Sequence, residues 1–310
     1  MSRRIHGWRK LAGSAWGRPM DPQFLGDLDL DADALLSYIE EARRRTGVHV
    51  TVTHLVGKAV AHGLAQVPEL RVRLAHGREY ERESIDVFFI VAAEGGGELT
   101  GVKIHDADRK SAVEIGEELS RRCAAIGAGR DPELGRGKAV LTVLPPHPLR
   151  WVLRLAAWLT SDLNLDLSRL GMPRQAFGGA MITSIGGWGI SHAYSPLAHY
   201  YRVPVLILVG AVRQSPAAVA GQVVVRPMLT LTATFDHRYV DGFHAVQFAR
   251  AVRDYCENPA AFDPHRAWSA TQPEARQQAA RRDHQGCQLP GWLAAMYSAT
   301  RWTAARSRRK

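Results

Sequence analysis

"TFDHRYVDGFHAVQFAR", residues 234–250, joins two kinds of chain. The run before it, "VVVRPMLTLTATF", is β-branched and roughly alternating, the pattern of strands. The run after it places Val246, Ala249, Val252 and Cys256 at helical spacing. Between them stands a polar corner of Asp236, His237 and Arg238. Taken alone, His237 is either a hydrogen-bonded turn residue or a base, and Asp241 reads as an N-cap for the helix opening at Gly242. A base needs its imidazole held in one tautomer and rotamer with one nitrogen free, and a corner flanked by acids and ended by Asp-Gly supplies that. No Gly-x-Ser-x-Gly elbow, P-loop or His-Glu-x-x-His occurs elsewhere to compete.

Working outward, "DADALLSYIEEARRRTG" predicts a helix with Asp31 or Asp33 at its start and Gly47 as its stop. "VTHLVGKAVAHGLAQVPEL" predicts a second, closed by Pro68, and "SAVEIGEELSRRCAAIGAG" a third. "SIDVFFIVAAEGGGELTGVKI" reads as two strands around a turn at Gly95–Gly97. "MITSI", "VPVLILVGAV", "VVVRP" and "MLTLTATF" are later strands, and 243–257 is a late helix. This order predicts one α/β sandwich with a mixed, largely antiparallel sheet and flanking helices.

The net charge of +10 suggests nucleic acid until it is located. Residues 1–20 and 261–310 carry +11 between them, leaving the remaining 240 residues at −1. A near-neutral body with basic ends is not a groove lined for phosphates, so no nucleic-acid partner is expected. Cys123, Cys256 and Cys287 are far apart and odd in number, which argues against a disulfide framework or a metal site and fits a reducing cytoplasm. The start lacks the apolar run of a secretion signal, and no stretch of 18 apolar residues is present. The reading divides the chain into a basic extension (1–26), a catalytic domain (27–260) and a basic tail (261–310) with a helix over 291–306. Within the domain, 144–177 is an atypical apolar insertion. Its Trp151, Leu155, Trp158 and Leu159 share a helical face, expected to pack on the body or a neighbouring subunit and to shape the approach to His237; contact with a membrane surface is not favoured.

"DHRYVDG" resembles the His-x-x-x-Asp-Gly signature of the catalytic domain of dihydrolipoyl acyltransferases, the core subunits of 2-oxo acid dehydrogenase complexes; chloramphenicol acetyltransferase shares that fold and a similar motif. "VHVTVTHLVGKAVAHGLAQVPEL" and "IDVFFIVAAEGGGELTGVKIHDADRKSAVEI" resemble the family's early helix and hairpin, and "VPVLILVGAVRQSPAAVAGQVVVRPMLTLTATFDHRYVDG" its final strands. "GGAMITSIGGWGI" stands where the family usually has Gly-Gly-x-x-x-Ile-Ser-Asn-Leu-Gly. The resemblance covers about residues 27–258 and implies a chloramphenicol acetyltransferase-like fold. It further implies coenzyme A or acyl-coenzyme A as substrate, no bound metal, His237 as general base, Ser184 as oxyanion donor and Asp241 as an orienting or structural residue. A homotrimer, or a higher oligomer of trimers, with sites between subunits is expected. Usual members carry lipoyl and partner-binding domains ahead of the catalytic domain; the reading expects neither these nor a lipoyl lysine on this chain, and a lipoyl-bearing protein would act in trans. A stand-alone acyltransferase, a complex subunit and a non-catalytic trimeric scaffold remain the three readings.

Overall fold

A computed structural model describes residues 22–93, 98–127 and 145–263. The chain forms strand β1 (Gln23–Asp31), helices α1 (Asp33–Thr46) and α2 (Val52–Gln66), and a small hairpin of β2 (Val72–Ala75) and β3 (Arg78–Glu81). Strands β4 (Val87–Ala93) and β5 (Glu98–Ile104) follow, then helices α3 (Ala112–Gly127) and α4 (Pro146–Ala157). The rest is β6 (Ala180–Ser184), β7 (Val205–Val209), β8 (Arg213–Val219), β9 (Gln222–Asp236), α5 (Gly242–Glu257) and the short α6 (Pro259–Phe262). The large sheet has the order β1-β9-β7-β6-β4-β5, with β8 paired to β9. Only β4–β6 and β6–β7 are parallel pairs; β1–β9, β7–β9, β8–β9 and β4–β5 are antiparallel. The expected mixed, largely antiparallel sandwich is what forms.

Alternation along the strands assigns the two faces. Val205, Ile207 and Val209 of β7, with Leu229, Leu231 and Phe235 of β9, join the core contributed by α1, α2, α3 and α5. The intervening Leu206 pairs with Met181, Phe88, Leu197 and Val203 in a second cluster on the opposite face. Thr230, Thr232 and Thr234 also face that side, buried yet satisfied: their hydroxyls bond Asp29 Oδ1, Ala193 O and Ser195 O. Helix α1 ends where Gly47 takes a left-handed φ of 71° and donates its N–H to Arg43 O, as its position after the last apolar residue predicts.

Three sequence expectations change. "VVVRP" and "MLTLTATF" are one strand, not two: β9 runs through Pro227, whose carbonyl accepts the Ala32 N–H at 2.8 Å where β9 passes from β8 to β1. The sheet begins at Gln23, ahead of the expected domain start at 27, because "QFLGDLDLD" alternates and pairs along β9. The apolar insertion does form a helix, α4, but Leu149, Leu153 and Ala157 are its buried residues. Trp151 is 69 % exposed, Leu155 and Trp158 point outward with it and Leu159 is half-buried, so within one chain this face does not pack on the catalytic body, and of the two expected packings only that on a neighbouring subunit is left. The Arg154 guanidinium lies over the Trp151 ring, 5.5 Å from its centroid. The basic extension up to residue 21, the turn at 94–97 and the tail with its expected helix lie outside the described residues.

Candidate functional site

The His237 corner is held by its inward neighbours. Phe235 and Val240 are buried in the main core and Tyr239 packs against it, while His237 and Arg238 point outward. The turn closes with Tyr239 N–H donating to Asp236 O at 3.0 Å, and His237 N–H donates to Pro22 O at 2.7 Å, tying the corner to the start of β1. The His237 ring meets Phe24 edge-on at 5.1 Å between centroids. Phe24 stacks in turn on Phe235. The imidazole is exposed, with an aromatic wall on one side.

Asp236 is buried and forms an ion pair with the Arg238 guanidinium, a local clamp that the sequence reading did not identify. Asp241 is the N-cap of α5: its carboxylate accepts from Phe243 N–H at 3.0 Å and His244 N–H at 3.3 Å. The Asp241 N–H in turn donates to His244 Nδ1 at 3.4 Å, completing a capping box, and Asp241 Oδ1 lies 2.8 Å from the same ring nitrogen. The backbone bond from His244, aided by its ring, holds the Asp241 carboxyl below the usual carboxylate range. The N-cap expected of Asp241 is therefore what forms, and its carboxylate is engaged at the helix end.

Ser184 closes β6. Its hydroxyl donates to Val209 O at a long 3.5 Å, and the next N–H, that of Ile185, takes the same carbonyl at 3.0 Å. The chain then turns through Gly186–Trp188. A Cβ on Gly186 would lie 2.6 Å from Gly210 O, so only glycine lets the two loops beside Ser184 approach this closely.

Sheet register separates Ser184 from His237. Ser184 pairs with Val209, and Val209 with Leu231. Asp236, just before His237, is five residues farther along β9, about 17 Å at strand rise. The end of β9 lies beside the starts of β7, β6 and β4, whereas Ser184 is at the far end. Within one chain the two side chains do not meet.

The His237 end also gathers residues that no motif singled out. Asp86, just before β4, bonds His105 Nδ1 at 3.0 Å just after β5. Arg82, Arg202 and Gln175 form a partly buried polar knot beside it. Among the described residues no group of three His, Cys, Asp or Glu side chains is placed to hold a metal ion, and no helix is long and apolar enough to cross a membrane.

Comparison with known proteins places this geometry. The family model for the 2-oxoacid dehydrogenases acyltransferase (catalytic domain) matches residues 20–130 and 172–262, and its interruption, 131–171, overlaps most of the segment read as an insertion, 144–177. The chain is 40 % identical over 235 residues to the dihydrolipoyllysine-residue succinyltransferase component of the mitochondrial 2-oxoglutarate dehydrogenase complex of Saccharomyces cerevisiae, covering 74 % of this chain and 42 % of that protein. It is 24 % identical to the dihydrolipoyllysine-residue acetyltransferase component of the acetoin cleaving system of Bacillus subtilis, covering 71 % and 44 %. It thus spans about two fifths of the length of these relatives. Its fold matches the dihydrolipoamide acetyltransferase of Azotobacter vinelandii with a TM-score of 0.61 at 17 % identity, covering 84 % of this chain and 93 % of that one. It matches the truncated catalytic core of the 2-oxoacid dehydrogenase multienzyme complex of Thermoplasma acidophilum with a TM-score of 0.58 at 20 % identity, covering 84 % and 99 %. With the family model matching more than half of the chain and a relative 40 % identical over 74 % of it, the chain belongs to the 2-oxoacid dehydrogenase acyltransferase family and carries its catalytic domain.

Proposed function

We propose that this domain moves an acyl group between coenzyme A and another thiol, amine or hydroxyl, with its site assembled between two copies of the chain. The observation that carries this reading is the exposed His237 at one end of the sheet and Ser184 at the other. Each is a half-site, and a neighbouring copy brings a serine to each histidine. In this reading His237 takes the proton from the attacking thiol, whose sulfur then bonds the acyl carbonyl carbon. The carbonyl electrons move onto oxygen, and the Ser184 hydroxyl, held only by its long bond to Val209 O, swings to donate to that oxyanion. Collapse breaks the original carbon–sulfur bond, and the imidazolium returns its proton to the departing thiolate. Asp241 fixes the start of α5 and thereby the corner. The Azotobacter protein's mechanism has been investigated at a serine, a histidine and an asparagine, which supports the pairing of residue types used here.

A second reading, a dihydrolipoyl group presented by a separate protein, is favoured by the names of the relatives. A thiol-release assay against a panel of acyl-coenzyme A thioesters, with and without dihydrolipoamide, tests both. Turnover that needs dihydrolipoamide selects the second reading. No turnover with any thioester or acceptor overturns the acyl-transfer proposal.

A further inference from the structure

Arg82 directly follows β3, in the loop that leads to β4 at the His237 end of the sheet, and is only 9 % exposed. A buried guanidinium must find acceptors, and the groups that accept its hydrogen bonds are all neutral. Its Nη1 donates to Gln175 Oε1 at 2.5 Å, Nη2 to Arg202 O at 2.9 Å and Nε to Val72 O at 3.3 Å. The same Arg202 carbonyl accepts the Tyr239 hydroxyl at 3.5 Å, and Tyr239 closes the turn that carries His237. On the other side, Arg202 Nη2 pairs with Asp162 at 3.0 Å, and Gln175 bonds both Asn164 Oδ1 and, through its N–H, Thr160 O. Arg73 secures the same stretch by donating to Ser161 O and Asp162 O, each at 3.0 Å. One planar fork therefore joins the inserted segment, the loop before β7 and, through one shared carbonyl, the histidine corner.

We propose that Arg82 is a positioning residue for His237, clamping the inserted segment 158–177 against the turn that presents the imidazole. The inference rests on the acyl-transfer reading for its kinetic consequence and on geometry alone for the clamp. Lysine keeps the charge but cannot reach three acceptors in one plane, so Arg82→Lys is not conservative here. Gln175→Leu cuts only the arm to the insertion and leaves Arg82 in place.

The test is hydrogen–deuterium exchange of the full chain as wild type, Arg82→Lys and Gln175→Leu, with steady-state kinetics alongside. The expected result is faster exchange at both 158–177 and 236–241, with α1 and α2 as protected as before. Turnover should fall about ten- to a hundredfold at unchanged KM for the acyl thioester, since a base misplaced by about 1 Å costs that order. Exchange at 236–241 that stays at the wild-type rate in both variants overturns the clamp. Faster exchange at 236–241 with wild-type turnover also overturns it, since the histidine then needs no such support. A wild-type protein without acyl transfer sinks the functional reading instead, while the exchange data still decide whether Arg82 ties the insertion to the corner.

Discussion

Ser184 and His237 sit at opposite ends of one sheet, with Asp236, the residue before His237, about 17 Å from the level of Ser184 along the strand direction. Single substitutions should separate their roles. His237→Ala is expected to leave thermal stability unchanged, because the side chain is exposed, and to lower the rate by roughly 10²–10⁴ through loss of the general base. Ser184→Ala should lower kcat with little change in KM, because an oxyanion contact forms only in the transition state. Steady-state kinetics and a thermal melt of each variant check both; a Ser184→Ala enzyme with raised KM and intact kcat would make Ser184 a binding residue.

The two faces of α4 should respond in opposite ways. Leu153 is 2 % exposed, so Leu153→Ala should cost about 2–5 kcal/mol in transfer and cavity terms. Trp151 is mostly exposed, and Trp151→Ala should cost well under half as much. Urea unfolding of the two variants checks this, and equal losses would contradict the burial of the Leu149–Leu153–Ala157 side.

Acid stability should depend on Asp86. Burial alone would raise its pKa, but bonds from His105 and Ser84 and the charges of His105 and Lys103 outweigh it and hold the carboxyl down at about 2. A folded pKa below the unfolded value of about 3.9 stabilises fully above that value and is lost as pH falls toward about 2. Asp86→Asn should therefore lower stability at neutral pH and flatten its decline between about pH 4 and pH 2. Denaturation midpoints across that range check it; an unchanged slope would show that the Asp86–His105 pair does not contribute.

Much of this was legible in the sequence because it is written locally. Gly47 after the last apolar residue of α1 and the turn from alternating to helical period at 234–250 each fix a boundary through short-range chemistry. Asp241 read as a cap for the same reason. What escaped depends on contacts far apart in the chain. The face that α4 buries is chosen by the surface beneath it, and both of its faces are apolar, so spacing alone pointed to the one with the tryptophans. Pro227 looked like a strand break because it has no N–H, yet its carbonyl still serves Ala32 from a different strand. Arg82 reads as one arginine in a charged stretch, and only Gln175, 93 positions away, and Arg202, 120 away, reveal it as buried.

The central claim, that each site takes its histidine and its serine from different copies, is tested most directly by mixing two inactive proteins. His237→Ala and Ser184→Ala chains are unfolded together at equal amounts, refolded and assayed, with light scattering to confirm that each alone and the mixture form the same closed oligomer. Random assembly places an intact histidine opposite an intact serine in about a quarter of sites, so the mixture should recover up to about a quarter of wild-type turnover. Activity no higher than the average of the two separate variants, in assemblies shown to be mixed, would contradict the account, because it would mean that both residues act within one chain or that one of them does not act at all.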